Sequence, residues 1–442
     1  VMASGTPVTN TMGELYNVMR YMDGAALERD GLQSFDAWAR MFGEVVSSFE
    51  QNAAGVYESV ARFAKFNNMP ELMSRVRSFM DVLTSNQLRT LVKIPKLRSG
   101  EPQNMVGEAS PATVDYMKNE LLPRIAKSRE WKPSPQEKGN PDPMVKIITD
   151  GRLSAIDERF FDRSAGDNPN SKLNRMIDEI IRVHKDTKNA TFLDEDGKPE
   201  PTKGATQIVF SKVGFGDMVA ESRGFDVRAH LARRFKRAGI PTSQVAWMND
   251  YKSHAKKKQL FKDMRSGAKR ILIGSPDNMG TGLNVQKRLV ALHYLSPPWF
   301  PSDVEQPHGR ILRQGNQNEE VDIFWYATKG TYDSTAWGMV ARKARFIEQA
   351  FSGEGTVRTI DDISEASQYQ MASAMAAGDD RVIQLADLSG QVEQLQLLRQ
   401  AHHDNQRTLA RNKEAGERDI RREQAAIKKA EAAQKAIAKN FQ

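Results

Sequence analysis

The chain has 442 residues, is 39% hydrophobic, lacks cysteine and carries a formal net charge of +8. This length allows two or three domains with a real apolar core, and the missing cysteine excludes disulfides and thiolate metal sites. No apolar run approaches the roughly 18 residues of a membrane-spanning helix, and the basic balance favours an anionic partner such as nucleic acid, although a basic protein with no polyanion partner satisfies the same charge.

The start, Val1-Met2-Ala3-Ser4-Gly5, has no basic region leading into an apolar stretch, so it is no signal peptide. A first residue of valine is read as a start inside a longer protein. Residues 1–10 read as the end of a strand and a turn. Met12, Leu15, Val18, Met19 and Met22 recur at helical spacing. Further helices are expected over 34–48, 55–66, 69–90 and 111–130, the last opened by Ser110-Pro111. The prolines from Lys132-Pro133-Ser134-Pro135 to Asn140-Pro141-Asp142-Pro143 mark a linker or surface loop. A second polar loop spans 193–204.

Between 171 and 350 helix and strand alternate. Helices are expected at Ser171–Lys185, Val227–Ala238, Ser253–Arg265 and 303–313. Strands are expected at Thr206–Ser211, Ser243–Met248, Arg270–Gly274, Leu289–Leu295 and Val321–Ala327. Such alternation predicts an α/β, RecA-like parallel sheet with helices on both faces. Ligands of such sheets sit at the carboxyl ends of the strands, here after Phe210 and Ile273. From Arg381 to Phe441 the chain is helix-forming. Val382, Leu385, Leu388, Val392, Leu395 and Leu398 form a seam for a partner helix, and the basic tail beyond His403 reads as a solvated helical face. The expected organisation is an N-terminal helical insertion over 1–130, a linker over 131–170, the sheet lobe over 171–355 and a long-helix extension over 356–442.

The strongest chemical signal is Glu305-Gln306-Pro307-His308-Gly309-Arg310-Ile311-Leu312-Arg313-Gln314-Gly315-Asn316. On one helix, Arg310 and Arg313 share a face. Two planar, permanently charged guanidiniums so placed can meet a triphosphate across a cleft. An isolated R-x-x-R would more often be two surface arginines in ion pairs. Upstream, however, Gly274-Ser275-Pro276-Asp277-Asn278-Met279-Gly280-Thr281-Gly282-Leu283-Asn284 follows a buried-type strand. Its Gly280 and Gly282 let backbone amides approach a phosphate or a neighbouring loop.

In this order the motifs resemble the C-terminal half, the second RecA-like lobe, of Swi/Snf-like superfamily-two DNA helicases and translocases. Gln207–Ser211 resembles motif IV, with Ser171-Lys172-Leu173 as its lead-in. Gly280–Asn284 resembles motif V, and Gln306, Arg310 and Arg313 match motif VI. Ala3-Ser4-Gly5-Thr6-Pro7 and the helix after it resemble motif III. Ser34-Phe35-Asp36-Ala37-Trp38-Ala39 and Lys343-Ala344-Arg345-Phe346-Ile347 point to the phage and plasmid DarB-like antirestriction helicase–methyltransferase group. The resemblance implies arginine fingers at Arg310 and Arg313, and nucleotide-cleft contacts at Gln306, Gly280 and Gly282. It implies nucleic-acid contacts at Thr6, Ser211, Lys212, Thr281 and Asn284. Double-stranded DNA read without sequence preference is the implied partner, with a methyltransferase domain elsewhere in the protein, in a bacterial or phage-infected cytoplasm or a phage particle.

One departure from the family is decisive. No G-x-x-x-x-G-K-[ST] loop exists in the sequence. Asp194-Glu195-Asp196 sits in a polar loop, and Ile177-Asp178-Glu179-Ile180 lies within an amphipathic helix. ATP and Mg²⁺ are therefore expected to be held mainly by a first lobe that this chain lacks. The alternatives are an ATPase-inactive binding or structural module, or one subunit of a split motor. Other candidates are weaker. His254, His293, His308, His402 and His403 show no metal-ligand spacing. Trp299 and Phe300 are expected to pack beneath the arginine helix, and Lys256-Lys257-Lys258 to form a solvated helix face.

Overall fold

The computed structural model describes residues 8, 13–51, 57–81, 92–131, 140–279, 284–298, 302–333, 336, 337, 340, 360, 361, 406, 413, 417, 418, 421 and 424. The chain divides into two compact units, Val1–Val382 and Ile383–Gln442. In the second unit the described residues, from Gln406 to Gln424, are helical and exposed. The apolar seam expected at 382–398 lies outside the described residues.

The first unit opens with helices α1 (Glu14–Met22), α2 (Gly24–Arg29) and α3 (Phe35–Phe42). Leu15, Met19, Leu27, Trp38 and Phe42 bury their side chains in one cluster with Leu72 and Val76 of α4 (Met69–Phe79). The helices expected over 34–48 and 55–66 are corrected here. After Phe42 the chain turns into an antiparallel hairpin, β1 (Gly43–Gln51) and β2 (Tyr57–Phe66), paired from Gly43↔Phe66 to Gln51↔Tyr57 with a register shift between Glu44 and Val45. Short apolar runs fit either period, and cross-strand hydrogen bonding decides between them. Gly43 halts the helix, and Val45 and Val46 are β-branched residues that favour strands.

Two short strands, β3 (Lys96–Leu97) and β4 (Gln103–Glu108), come next. Ser110 Oγ then accepts the Thr113 N–H at 3.1 Å and opens α5 (Pro111–Tyr116). A π turn, Met117–Leu121, carries the chain into α6 (Leu122–Glu130). The linker expected over 131–170 contains a helix, α7 (Met144–Ser154), which buries Ile147, Ile148 and Leu153. The prolines that suggested a linker stop at Pro143, which sits just before the first turn of α7 and does not interrupt it.

From here the expected alternation is observed: α8 (Lys172–Asp186), β5 (Thr206–Phe210), α9 (Asp217–Arg223), α10 (Val227–Arg237), β6 (Val245–Trp247), α11 (His254–Ser266), β7 (Ile271–Gly274), the short α12 (Pro276–Met279), β8 (Leu289–Tyr294), α13 (Ser302–Ile311) and β9 (Glu320–Lys329). The seven-stranded sheet runs β3-β9-β8-β5-β7-β6, with β4 also on β9. All its pairings are parallel. Outside it, β10 (Ile360–Asp361) pairs with β2.

Alternation along β5 sends Val209 to one face, against Leu173 and Ile177 of α8 and Leu231 and Phe235 of α10. Ile208 and Phe210 go to the other face, with Leu260 and Met264 of α11 and Ile311 of α13. Both faces are covered, as a RecA-like parallel sheet requires. The amino ends of the strands are closed by buried arginines. Arg270 Nε donates to Ala205 O at 3.0 Å, and Arg288 donates to Arg265 O at 2.9 Å and Thr202 O at 2.8 Å while pairing with Glu200. Those arginines satisfy backbone carbonyls and leave the carboxyl ends as the open side.

Candidate functional site

The chain leaves β5 toward β6 on one side of the sheet, and leaves β8 toward β9 on the other. This divergence makes a switch point at the carboxyl ends of β5 and β8, where a crevice forms. The two loops there are stitched together. Ser211 is buried, its Oγ donates to Val213 O at 2.7 Å and it lies 3.1 Å from Ser296 Oγ. The Lys212 N–H donates to the same Ser296 Oγ at 3.3 Å. The Ser211 hydroxyl is thus engaged inside the loop, and Lys212 is the neighbour that carries charge outward.

Lys212 Nζ sits 3.1 Å from Asp277 Oδ1 and 2.8 Å from Asp303 Oδ2. Asp277 lies on α12 and Asp303 in the first turn of α13. One ammonium therefore joins the loop after β5, the turn after β7 and the arginine helix. This link was not legible in the sequence, because the three residues lie far apart along the chain.

Helix α13 turns Val304, Pro307 and Ile311 inward. Arg310 is half-buried and Arg313 exposed. The expected helix 303–313 ends earlier, at Ile311, so Arg313 stands in the following turn and not on the helix itself. Gly315 there adopts φ +88, a left-handed conformation that a side chain resists. The Asn316 side chain donates to Ile311 O at 2.9 Å and Leu289 O at 2.8 Å. It caps the helix carboxyl end and ties it to the start of β8. The two arginines still feel one another: burial, then the Arg313 charge, lowers the Arg310 pKa from its ordinary value. Burial and a like charge nearby both disfavour a charged Arg310, and a counter-charge relieves both.

Behind Arg310 the helix rests on aromatic rings. His308 stacks on Trp325 at 6.1 Å between centroids, and Trp325 stacks on Trp337 at 4.7 Å. His308 Nε2 is out of solvent with no hydrogen-bond partner among the described residues, and burial lowers its pKa to about 4. His293 is buried in a satisfied core network, with Nδ1 2.9 Å from the Tyr326 hydroxyl and Nε2 2.9 Å from Gln207 Oε1. Burial lowers its pKa to about 3. Among the described residues no His, Asp and Glu cluster could hold a metal ion.

Of the remaining candidates, Gln306 lies half-buried on α13. Asn284 is exposed, and its backbone carbonyl accepts from Arg265 at 2.8 Å. Thr6, Gly280, Thr281, Gly282, Trp299 and Phe300 lie outside the described residues. Asp194 accepts the Asp196 and Lys198 N–H groups at 3.0 and 2.8 Å, a tight solvated turn. Glu179 pairs with Arg182 and Asp178 with Arg234, so both belong to the polar face of α8.

Sequence reasoning missed a cavity of about 440 Å³ at the carboxyl ends of β5, β6 and β7. Lys212, Phe215, Arg228 and Trp247 line it. Phe215 meets Trp247 edge to face at 5.5 Å, and the Arg228 guanidinium lies 4.7 Å from the Trp247 ring centre. The signal for it was Gly214-Phe215-Gly216 directly after motif IV, an aromatic residue between two glycines.

A family model described as a probable helicase domain matches residues 1–84. The defense against restriction protein B of Escherichia phage P1 is 23% identical over 181 residues, which is 41% of this chain and 8% of that protein. The chain thus spans a small part of that relative's length. Among solved structures, the Sulfolobus solfataricus SWI2/SNF2 ATPase core in complex with double-stranded DNA gives a TM-score of 0.40 at 14% identity, covering 84% of this chain and 65% of that one. The C-terminal part of the Fun30 ATPase domain gives 0.36 at 11% identity, covering 64% and 97%. The family match thus gives residues 1–84 a likeness to a probable helicase domain, and the sheet beyond them is parallel and RecA-like.

Proposed function

We propose that this chain is the second-lobe portion of an ATP-dependent DNA motor. Arg310 and Arg313 bind and orient the terminal phosphate of a nucleotide held by a separate first lobe. That nucleotide, with its Mg²⁺, supplies the energy of phosphoryl transfer. Gln306 lines the same cleft. Gly280 and Gly282 serve that cleft too, while Lys212, Thr281 and Asn284 meet the DNA backbone, whose phosphates position a protein without carrying sequence. The observation that carries this reading is the half-buried Arg310 beside Arg313, repelled by its neighbour's charge and seated on a helix linked through Asp303 to Lys212. The first arrangement suits a phosphate ligand. The second gives the phosphate cleft a rigid connection to the strand-end loops.

In the protein carrying both lobes, Arg310→Ala and Arg313→Ala each lower ATP turnover by roughly 10³-fold or more, the scale of an arginine finger. DNA affinity measured by fluorescence anisotropy changes by less than about threefold, because neither guanidinium serves the DNA. Retained turnover in both variants refutes the assignment.

A further inference from the structure

The cavity at the ends of β5, β6 and β7 is not required by the arginine fingers, and its chemistry is distinct from theirs. Its charged lining residues are Lys212 and Arg228, and no carboxylate lines it. The aspartates that pair with these cations, Asp277 and Asp303 with Lys212 and Asp250 and Asp217 with Arg228, all stand outside the lining. Its wall is aromatic: Phe215 edge-on to Trp247, with Arg228 on the indole. Gly214 holds φ +92, and a Cβ there would come 3.3 Å from the Phe160 ring. That glycine allows the loop to fold back and carry Phe215 over the cavity. A smaller neighbouring cavity shares Phe215 and Arg228 but carries Asp217, Glu221 and Asp226. Those carboxylates repel phosphate on that side. Next to this rim, Met218 is 82% exposed on α9, a helix with no buried residue.

We propose that this cavity receives one unpaired nucleobase of a DNA strand, seated against Trp247 and Phe215, with the strand's phosphate directed away from Asp217, Glu221 and Asp226. The inference rests on the DNA-motor reading and specifies its substrate: the engaged strand is single at this point. A volume of about 440 Å³ falls in the range of small-ligand sites, and a base reaches such a pocket only after leaving the duplex stack. A planar base finds a stacking platform, as in other single-strand-binding grooves, where stacking on an aromatic side chain is tolerant of sequence. Arg228 adds a cation over the same ring system.

The test uses the whole 442-residue chain and fluorescence anisotropy. The probes are a 12-nucleotide thymidine strand, the same backbone without bases, a duplex of the same length, and free thymidine monophosphate as competitor. The intact strand binds roughly tenfold or more tightly than the abasic one, the scale of base–aromatic stacking. Trp247→Leu and Phe215→Ala each remove most of that difference while leaving abasic binding within about twofold. Phe215 lies in a surface loop, so its variant keeps the test open if Trp247→Leu misfolds. Equal binding of intact and abasic strands overturns the base pocket and leaves the DNA-motor reading standing. Displacement of the strand by the free nucleotide at equal concentration shows a nucleotide site and overturns the strand assignment. Absence of binding to both strands and to duplex DNA overturns both readings.

Discussion

His308 and Arg310 stand two residues apart on one helix and meet opposite surroundings. His308 packs in the ring stack with Trp325, while Arg310 stays half-buried and carries a charge that Arg313 disfavours. Burial holds the His308 imidazole neutral, at about 4 against an ordinary 6.5. Between these values the unfolded chain takes up a proton that the folded chain refuses. The stability that depends on a neutral His308 is therefore complete above about pH 6.5 and declines as the pH falls toward 4. His308→Phe keeps a stacked ring and removes a buried nitrogen without a partner, a change that is neutral or stabilising. Its thermal midpoint at pH 7.5 stays within about 2 °C of the unaltered chain or rises, and its advantage grows as the pH is lowered to 5. A variant as acid-sensitive as the unaltered chain contradicts the buried neutral imidazole. Ser211 shows the other residue-scale lesson. Its place in the motif was legible, but its hydroxyl is engaged by Val213 and Ser296, and only the fold brings Ser296 there.

At the scale of elements, the start of α8 is locked to the turn after β9. Lys172 Nζ lies 2.6 Å from Asp333 Oδ2, with both side chains buried, and the Thr328 N–H donates to the same carboxylate at 2.9 Å. Burial lowers the Lys172 pKa and raises that of Asp333, so desolvation opposes the pair even as its geometry satisfies it. Removing one partner leaves a buried charge alone. Lys172→Met costs about 3–5 kcal/mol in urea unfolding. The double variant Lys172→Met with Asp333→Asn recovers most of that loss, since the amide oxygen still accepts from Thr328. Additive losses refute a coupled pair. The sequence offered Lys172 as part of a motif lead-in, but its partner 161 positions later carried no pattern of its own. The hairpin β1–β2 was misread for a related reason, since strand pairing is a relation between segments and helical periodicity is a property of one.

For the whole molecule, the net charge of +8 acquires meaning from its distribution. Carboxylates crowd the small acidic cavity at α9 and balance Lys212 and Arg228, while Arg310 and Arg313 bring two positive charges to the end of α13 and the turn after it. On the proposed function, strand binding is largely electrostatic. The dissociation constant for a DNA strand rises severalfold or more between 50 and 200 mM salt, following the counterions released by each phosphate met. An affinity indifferent to salt in an anisotropy titration speaks against phosphate contact.

By itself, the sequence determined the alternating helices and strands of the parallel sheet, the caps that open its helices and the ordered motifs ending in Arg310 and Arg313. Those signals are local: hydrophobic period, capping side chains and glycine turns act within a few residues. Only the tertiary structure decided that Arg313 leaves the helix, that Lys212 bridges Asp277 and Asp303, and that Phe215, Arg228 and Trp247 wall one cavity. The last two are set by the parallel order of strands distant in sequence, which places their carboxyl-end loops side by side.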